Sequence, residues 1–321
     1  MIVTCAAILG VDFLTFPRKF CKSINSGVTL MDLGVGGIIF TSGMVSSHSK
    51  GRPNKQESLV AAVGRAALHS GPLGIFGLIR LVFMSLTNLH VSETEYGLHW
   101  NFYMTLMVVF VLGELVCGFT RHPYKAGAVG LLLLCCYQII ISVADLDEWM
   151  MEGPRTNFFS ANREGIFGSI GFLCLFLMAV AVGHFVITRA PTQETKPDFA
   201  LLFICFGLSL QEGFGLLARR RFVNLTWVAF VGGIELFAVG TAALADALAA
   251  RVCPLLALRG TNDNQLIIFL IANVCVGAVN MSIRTLLQPA VVVWLIMTSY
   301  MFLLFICAHI LGAADKRIRI L

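Results

Sequence analysis

Long apolar stretches alternate with short charged ones along almost the whole chain. Apolar runs lie near 28 to 47, 68 to 87, 97 to 118, 126 to 144, 165 to 188, 199 to 217, 223 to 249, 265 to 284 and 289 to 312, with a half-length run at 1 to 10. A bilayer core takes roughly 20 apolar residues of helix, and lipid requires backbone N–H and C=O groups to be paired within a helix or a closed barrel. Runs this long and unbroken are helices, because barrel strands alternate apolar and polar positions. The pattern predicts an all-α, polytopic transmembrane helical bundle of about nine full spans plus a partial N-terminal helix, built as a single integral-membrane domain over residues 1 to 321. No internal repeat and no matching halves of the transporter kind are visible.

Composition sharpens this. The chain is 57% apolar and 13% charged, against about 45–50% and about 25% for soluble domains. Its net charge of +5 does not point to nucleic acid, since the basic residues form short clusters between apolar runs, without a basic face or a base-stacking motif. Ten cysteines include no CxxC pair and no zinc spacing, so no metal is expected; most lie inside apolar runs, where they serve as small apolar residues. No P-loop, Rossmann glycine pattern, HExxH or GxSxG occurs. The triplets at Asn224 and Asn280 match glycosylation acceptors but fall at or inside membrane boundaries, which makes them chance matches.

Charge in the connections sets orientation. Alternate loops and the C-terminal tail carry thirteen Lys and Arg, from Lys50 to Arg319, and are expected to be cytosolic. The other set is mainly acidic, with Glu93, Glu95, Asp145, Asp147, Glu148, Glu152 and Glu164, and is expected to face the lumen or exterior. Two basic clusters run against this bias: Arg18, Lys19 and Lys22 in the opening loop, and Arg219, Arg220 and Arg221 in ARRRF. Either the bias tolerates them, or both bind an anion on that face. Arginine forks match phosphate geometry, and a phospholipid headgroup is the anion most available at a membrane edge.

Residues 11 to 46 concentrate the puzzle, with Asp12, Arg18, Lys19, Lys22 and Asp32 beside a glycine-rich apolar run. Charges near hydrocarbon usually have a function or a fixed partner. Asp32 opens a helix, where the dipole favours a carboxylate, so its expected role is structural. His99 stands at the acidic end of its helix with Glu95, Tyr96, Trp100 and Asn101 nearby. It is a candidate acid, base or hydrogen-bond donor, although the Tyr and Trp are also ordinary interfacial anchors. Arg80, Glu114, Glu212, Glu235, Asp246, Asn273 and Asn280 lie inside predicted spans; pairing with another helix is the simpler expectation for each.

The blocks VDFLTFPRKFCK (11 to 22), LMDLGVGGIIFTSGMVSS (30 to 47), GLIRL (77 to 81), EYGLHWNFYMTL (95 to 106), ANREGIFGSIGF (161 to 172), RRRFVNLTW (219 to 227) and IANVCVGAVNMSIRT (271 to 285) resemble the inositol acyltransferases of GPI-anchor biosynthesis. The resemblance implies a multi-pass enzyme of the endoplasmic reticulum membrane with its shared loops in the lumen and its C-terminus cytosolic. It implies transfer of a long acyl chain, usually palmitoyl, from acyl-CoA as co-substrate to the inositol 2-hydroxyl of glucosaminyl-phosphatidylinositol, with no bound cofactor and no nucleic-acid partner. It also implies an N-terminally shortened member, since the family carries several spans before the first block. The positions matching the family's catalytic pair are Asp12 and Lys22. Asp12 is then the general base for the hydroxyl; Lys22 either faces the oxyanion or holds Asp12 ionised. Arg18, Lys19, Arg219, Arg220 and Arg221 would hold the lipid phosphate, and His99, Asn101, Asn162 and Arg163 the sugar or inositol hydroxyls. The alternative from another class is a non-catalytic transporter or lipid scramblase.

Overall fold

The computed structural model describes residues 2–17, 21, 27–51, 58–87, 94–188, 196–212, 218–248 and 255–314. In chain order the helices are α1 (Ile2–Gly10), α2 (Leu30–Val45), α3 (Leu59–Thr87), α4 (Phe102–Thr120), α5 (Pro123–Val143), α6 (Leu146–Glu152) and α7 (Phe158–Ala161). They continue with α8 (Arg163–Thr188), α9 (Lys196–Glu212), α10 (Leu225–Leu248), α11 (Leu256–Asp263), α12 (Gln265–Ser282) and α13 (Ala290–Ala313). No strand occurs among the described residues. Each of the nine predicted segments holds a helix among the described residues, and the half-length run at the start is α1.

Seven of these helices, α3, α4, α5, α8, α10, α12 and α13, are long and apolar enough to cross a membrane, while α2 and the apolar part of α9 (Ala200–Ser209) are shorter. The chain is therefore a polytopic helical membrane protein. Helix α3 begins nine residues before the predicted run because the alanine-rich segment from Leu59 is a strong helix former and carries its one charge, Arg65, toward Glu114 at 3.6 Å. The short helices α6, α7 and α11 carry no span-length apolar run, and the hydropathy pattern gave no sign of them.

The described residues fall into two compact units: one takes those up to 21, 29–34 and 255–314, the other 27, 28 and 35–248. In the first, Cys5, Leu9 and Phe13 form one buried cluster with Ala272, Val293, Tyr300 and Leu304. The Tyr300 hydroxyl donates to the Cys5 carbonyl at 3.1 Å, which satisfies a phenol placed deep among apolar groups. Asp32 is buried, and its Oδ2 accepts from the N–H and the hydroxyl of Thr29 at 3.0 and 2.9 Å. That is an N-terminal cap, the structural role expected for it.

In the second unit small residues let helices approach closely, the usual membrane solution where lipid offers no hydrophobic drive. A Cβ on Gly207 would lie 2.5 Å from the Gly233 carbonyl of α10, and one on Gly43 2.6 Å from the Phe176 carbonyl of α8. Alternate connections gather at opposite ends. At one end His48 meets Glu114 at 2.8 Å and His184 meets the Ser49 carbonyl at 2.8 Å. Glu114 thus has the partners expected for a carboxylate in a span. At the other end residues 94–101, 145–162 and 218–224 converge. Gly207→Val should push α9 from α10 and cost about 1–3 kcal/mol, seen as a lower melting temperature of the purified protein with its helical circular dichroism retained below the transition.

Candidate functional site

Asp12 follows α1 directly. The helix runs out through turns, with the Val11 N–H on the Ala7 carbonyl, Asp12 on Leu9 and Phe13 on Gly10. Val11 and Phe13 are buried on either side, so the backbone is clamped while the half-buried Asp12 carboxylate faces outward. Its Oδ2 accepts from Asn280 Nδ2 at 2.8 Å, in the last turn of α12. This partner, 268 residues away, was not foreseen for Asp12. Arg18, Lys19 and Lys22 lie outside the described residues.

The opening loop re-enters the description at Gly27, whose N–H donates to the Ala218 carbonyl at 2.8 Å. Gly27 has φ +93° and nothing within 4 Å of where a Cβ would stand, so the backbone conformation, not space, requires glycine there. This bond pins the end of the loop beside the arginine turn. Arg219 pairs with Asp147 at 2.9 Å. Arg220 and Phe222 are buried, and the Arg220 guanidinium stands 5.7 Å over the Tyr96 ring. Arg221 donates to the Met151 sulfur at 3.3 Å; burial lowers its pKa, opposed by the Glu164 carboxylate.

The turn is held from below by helix ends. Tyr137 Oη of α5 donates to the Phe222 carbonyl at 2.6 Å, and Gln138 Oε1 accepts from the Leu225 N–H at 3.2 Å. Asn224 is buried, and its Oδ1 accepts from the N–H groups of Arg219 and Trp227 at 3.0 and 3.1 Å. It caps α10, which fits its reading as a chance glycosylation match.

Residues 94–101 are stitched to the start of α8. Leu98 N–H donates to the Ala161 carbonyl and Gly165 N–H to the Tyr96 carbonyl, both at 3.0 Å. Asn162 is fully buried, accepting from the His99 N–H at 2.7 Å and donating to the Phe158 carbonyl at 2.8 Å. Gly97 has φ +107°, and a Cβ there would lie 2.5 Å from Asn162 Cα, so only glycine permits this approach. Asn101 caps α4 and donates to the Gly77 carbonyl of α3 at 2.9 Å. The exposed His99 ring stacks on Phe158 with centroids 6.5 Å apart, and its nitrogens make no hydrogen bond among the described residues.

Beneath this lies a buried ion pair. Glu164, 1% exposed, accepts two bonds from Arg155 at 2.6 and 3.0 Å, and Arg155 also donates to the Ala161 carbonyl at 2.9 Å. Arg163, 2% exposed, donates to the Gly153 carbonyl at 2.6 Å and lies 5.2 Å over the Trp149 ring. Of the expected residues, His99, Asn101, Asn162, Arg163 and Arg219 to Arg221 thus share one end of the second unit, while Asp12 belongs to the first. Arg155 and Tyr96 were missed; nothing in a lone loop arginine or an interfacial tyrosine distinguishes it before folding. No group of residues suited to a metal ion occurs among the described residues.

The arrangement supplies a clamped carboxylate in one unit and an arginine-rich end with an exposed imidazole in the other. Removing one member of a buried ion pair strands the other at a cost of about 3–5 kcal/mol. Glu164→Ala should therefore lower the melting temperature far more than Arg219→Ala, whose ion pair with Asp147 is partly exposed.

The family model described as GWT1 matches residues 1–311. The chain is 31% identical to GPI-anchored wall transfer protein 1 of Yarrowia lipolytica, covering 94% of this chain and 68% of that protein. It is 32% identical to the protein of the same name from Schizosaccharomyces pombe, over 100% and 72%. It is 29% identical to phosphatidylinositol-glycan biosynthesis class W protein of Dictyostelium discoideum, over 99% and 73%. Against the Aspergillus oryzae relative the chain spans 65% of the length, so it corresponds to about two thirds of the fungal proteins it matches.

Proposed function

The chain belongs to the GWT1 family, and from that premise we propose that it acts in GPI-anchor biosynthesis, moving a long-chain acyl group from acyl-CoA to the inositol 2-hydroxyl of glucosaminyl-phosphatidylinositol at the endoplasmic reticulum membrane. The observation that carries this reading is the clamped Asp12 carboxylate, held by Asn280 at 2.8 Å between two buried neighbours, at the position where the family resemblance puts the catalytic base.

In the reaction the inositol hydroxyl oxygen attacks the thioester carbonyl carbon while its proton passes to Asp12. The tetrahedral oxyanion then collapses, the C–S bond breaks, and coenzyme A leaves as the thiolate, which is protonated in turn. A positioned base contributes typically about 100- to 10,000-fold. Asn280 donates to Asp12, which fixes the direction of the carboxylate. Lys22, assigned by resemblance alone, stabilises the oxyanion, a contribution of roughly 3–4 kcal/mol in a dry site.

Arg219, Arg220 and Arg221, with Arg18 and Lys19, serve the phosphate of the lipid substrate in this reading, and His99 meets a hydroxyl of its headgroup. Asn101 and Asn162 have their amide groups committed to backbone partners, and the buried Arg163 is engaged with the Gly153 carbonyl and the Glu164 carboxylate, so their part is to hold the binding residues in place. The loops at this end face the lumen and the His48 end faces the cytosol, as the positive-inside bias favours.

Membranes containing Asp12→Asn should show acyl transfer reduced by about 100-fold or more, with Asn280→Ala reduced less and mainly in kcat. Radiolabelled acyl-CoA and glucosaminyl-phosphatidylinositol, resolved by chromatography, measure this. Full activity of Asp12→Asn at normal expression would remove Asp12 from the chemistry.

A further inference from the structure

At the His48 end of the second unit, α4 turns into α5 through Arg121 and His122 alone. Arg121 lies in the left-handed region at φ 52°, its N–H on the Cys117 carbonyl at 2.9 Å, and Pro123 starts α5 at once. An arginine keeps that conformation only when its surroundings hold it. The turn sets Arg121 and His122 in one cleft with His48 and Thr120. Arg121, His122 and Lys125 are exposed, and among the described residues their side chains make no hydrogen bond and no ion pair. The carboxylate at this end of α4, Glu114, is taken by His48 at 2.8 Å and Arg65 at 3.6 Å. Asp198, in the first turn of α9, is the opposing acidic residue.

An apolar groove of about 320 Å³ runs from this turn between α5, α8 and α9, within the size range of small-molecule sites. Phe185 and Phe203 line it with their rings 6.2 Å apart, and Leu202 and Phe206 line its α9 side. Leu202 and Phe206 are 56% and 54% exposed on the apolar part of α9, so the groove opens sideways toward hydrocarbon. Tyr124 lines the end nearest the turn. Its ring stands 5.6 Å from that of His122 and 5.0 Å from that of His184, and its hydroxyl makes no hydrogen bond among the described residues. Apolar floor, phenol and guanidinium thus follow one another from the bilayer to its edge.

We propose that groove and cleft form one site for an anionic phospholipid of the leaflet at the His48 end, with an acyl tail along Phe185 and Phe203, its ester groups level with Tyr124 and its phosphate on Arg121 and His122. Basic pockets between spans collect anionic headgroups, and guanidinium forks match phosphate oxygens. The sideways opening favours a lipid already in the leaflet over a soluble acyl thioester, which also carries a tail and phosphates. The site lies at the opposite end of the second unit from Arg219 to Arg221 and does not depend on the acyltransferase reading.

Native mass spectrometry of the full chain in detergent tests this with dioleoylphosphatidic acid, with dioleoylphosphatidylcholine, which has the same tails and no net charge, and with palmitoyl-CoA. The wild-type chain should bind phosphatidic acid about tenfold more tightly than phosphatidylcholine. Arg121→Gln combined with His122→Gln should erase that preference and leave phosphatidylcholine binding unchanged. Leu202→Trp, which fills the groove from an exposed position, should weaken both lipids. Equal binding of the two lipids by the wild-type chain would overturn the site, as would a preference that survives the double variant. Equal loss of both lipids in the double variant marks a structural role for the turn and overturns it too. Undiminished binding of both in Leu202→Trp would remove the tail from the groove. Displacement of phosphatidic acid by palmitoyl-CoA at matching or greater potency would overturn the phospholipid as occupant.

Discussion

The buried ion pair of Arg155 with Glu164 constrains one whole end of the second unit. A carboxylate 1% exposed is tolerable only when its partner and geometry are fixed, because desolvation of each charge otherwise exceeds their attraction. Meeting that demand draws the loop after α6 onto the first turn of α8. Arg155 then reaches the Ala161 carbonyl, Asn162 takes the His99 N–H, and the segment 94–101 is held against α8. The arginine turn at 219–222 closes over this base through Tyr137 and Gln138 of α5. The turn is thereby supported by a helix and not by loops alone.

The two units carry different chemistry. The first presents the Asp12 carboxylate between buried Val11 and Phe13, fixed by Asn280. The second presents guanidiniums, a protonated phenol and an exposed imidazole.

Much of the fold is legible in the sequence because hydrocarbon imposes a length and a composition on any helix that crosses it. The segments that became α4, α5, α8, α10, α12 and α13 are readable for that reason, and Asp32 is readable from the helix dipole. The early start of α3 and the short α6, α7 and α11 are not, since polar or mixed stretches fold on tertiary contacts that no local pattern records. The site is legible in part. Blocks 95 to 106, 161 to 172 and 219 to 227 were singled out, and they converge. Whether a residue in them serves the backbone was not readable: nothing local shows that Asn162 donates to the Phe158 carbonyl or Arg163 to that of Gly153. The bond between Asp12 and Asn280 joins opposite ends of the chain, and nothing about Asn280 as a polar residue within a predicted span names Asp12 as its partner.

The central claim is that this chain acylates the inositol of a GPI precursor. Mass spectrometry of GPI intermediates in cells lacking the protein tests it most directly. The account predicts accumulation of glucosaminyl-phosphatidylinositol without the inositol-linked acyl chain, reversed by the wild-type chain and not by Asp12→Asn. Normal levels of the acylated intermediate in those cells would contradict it.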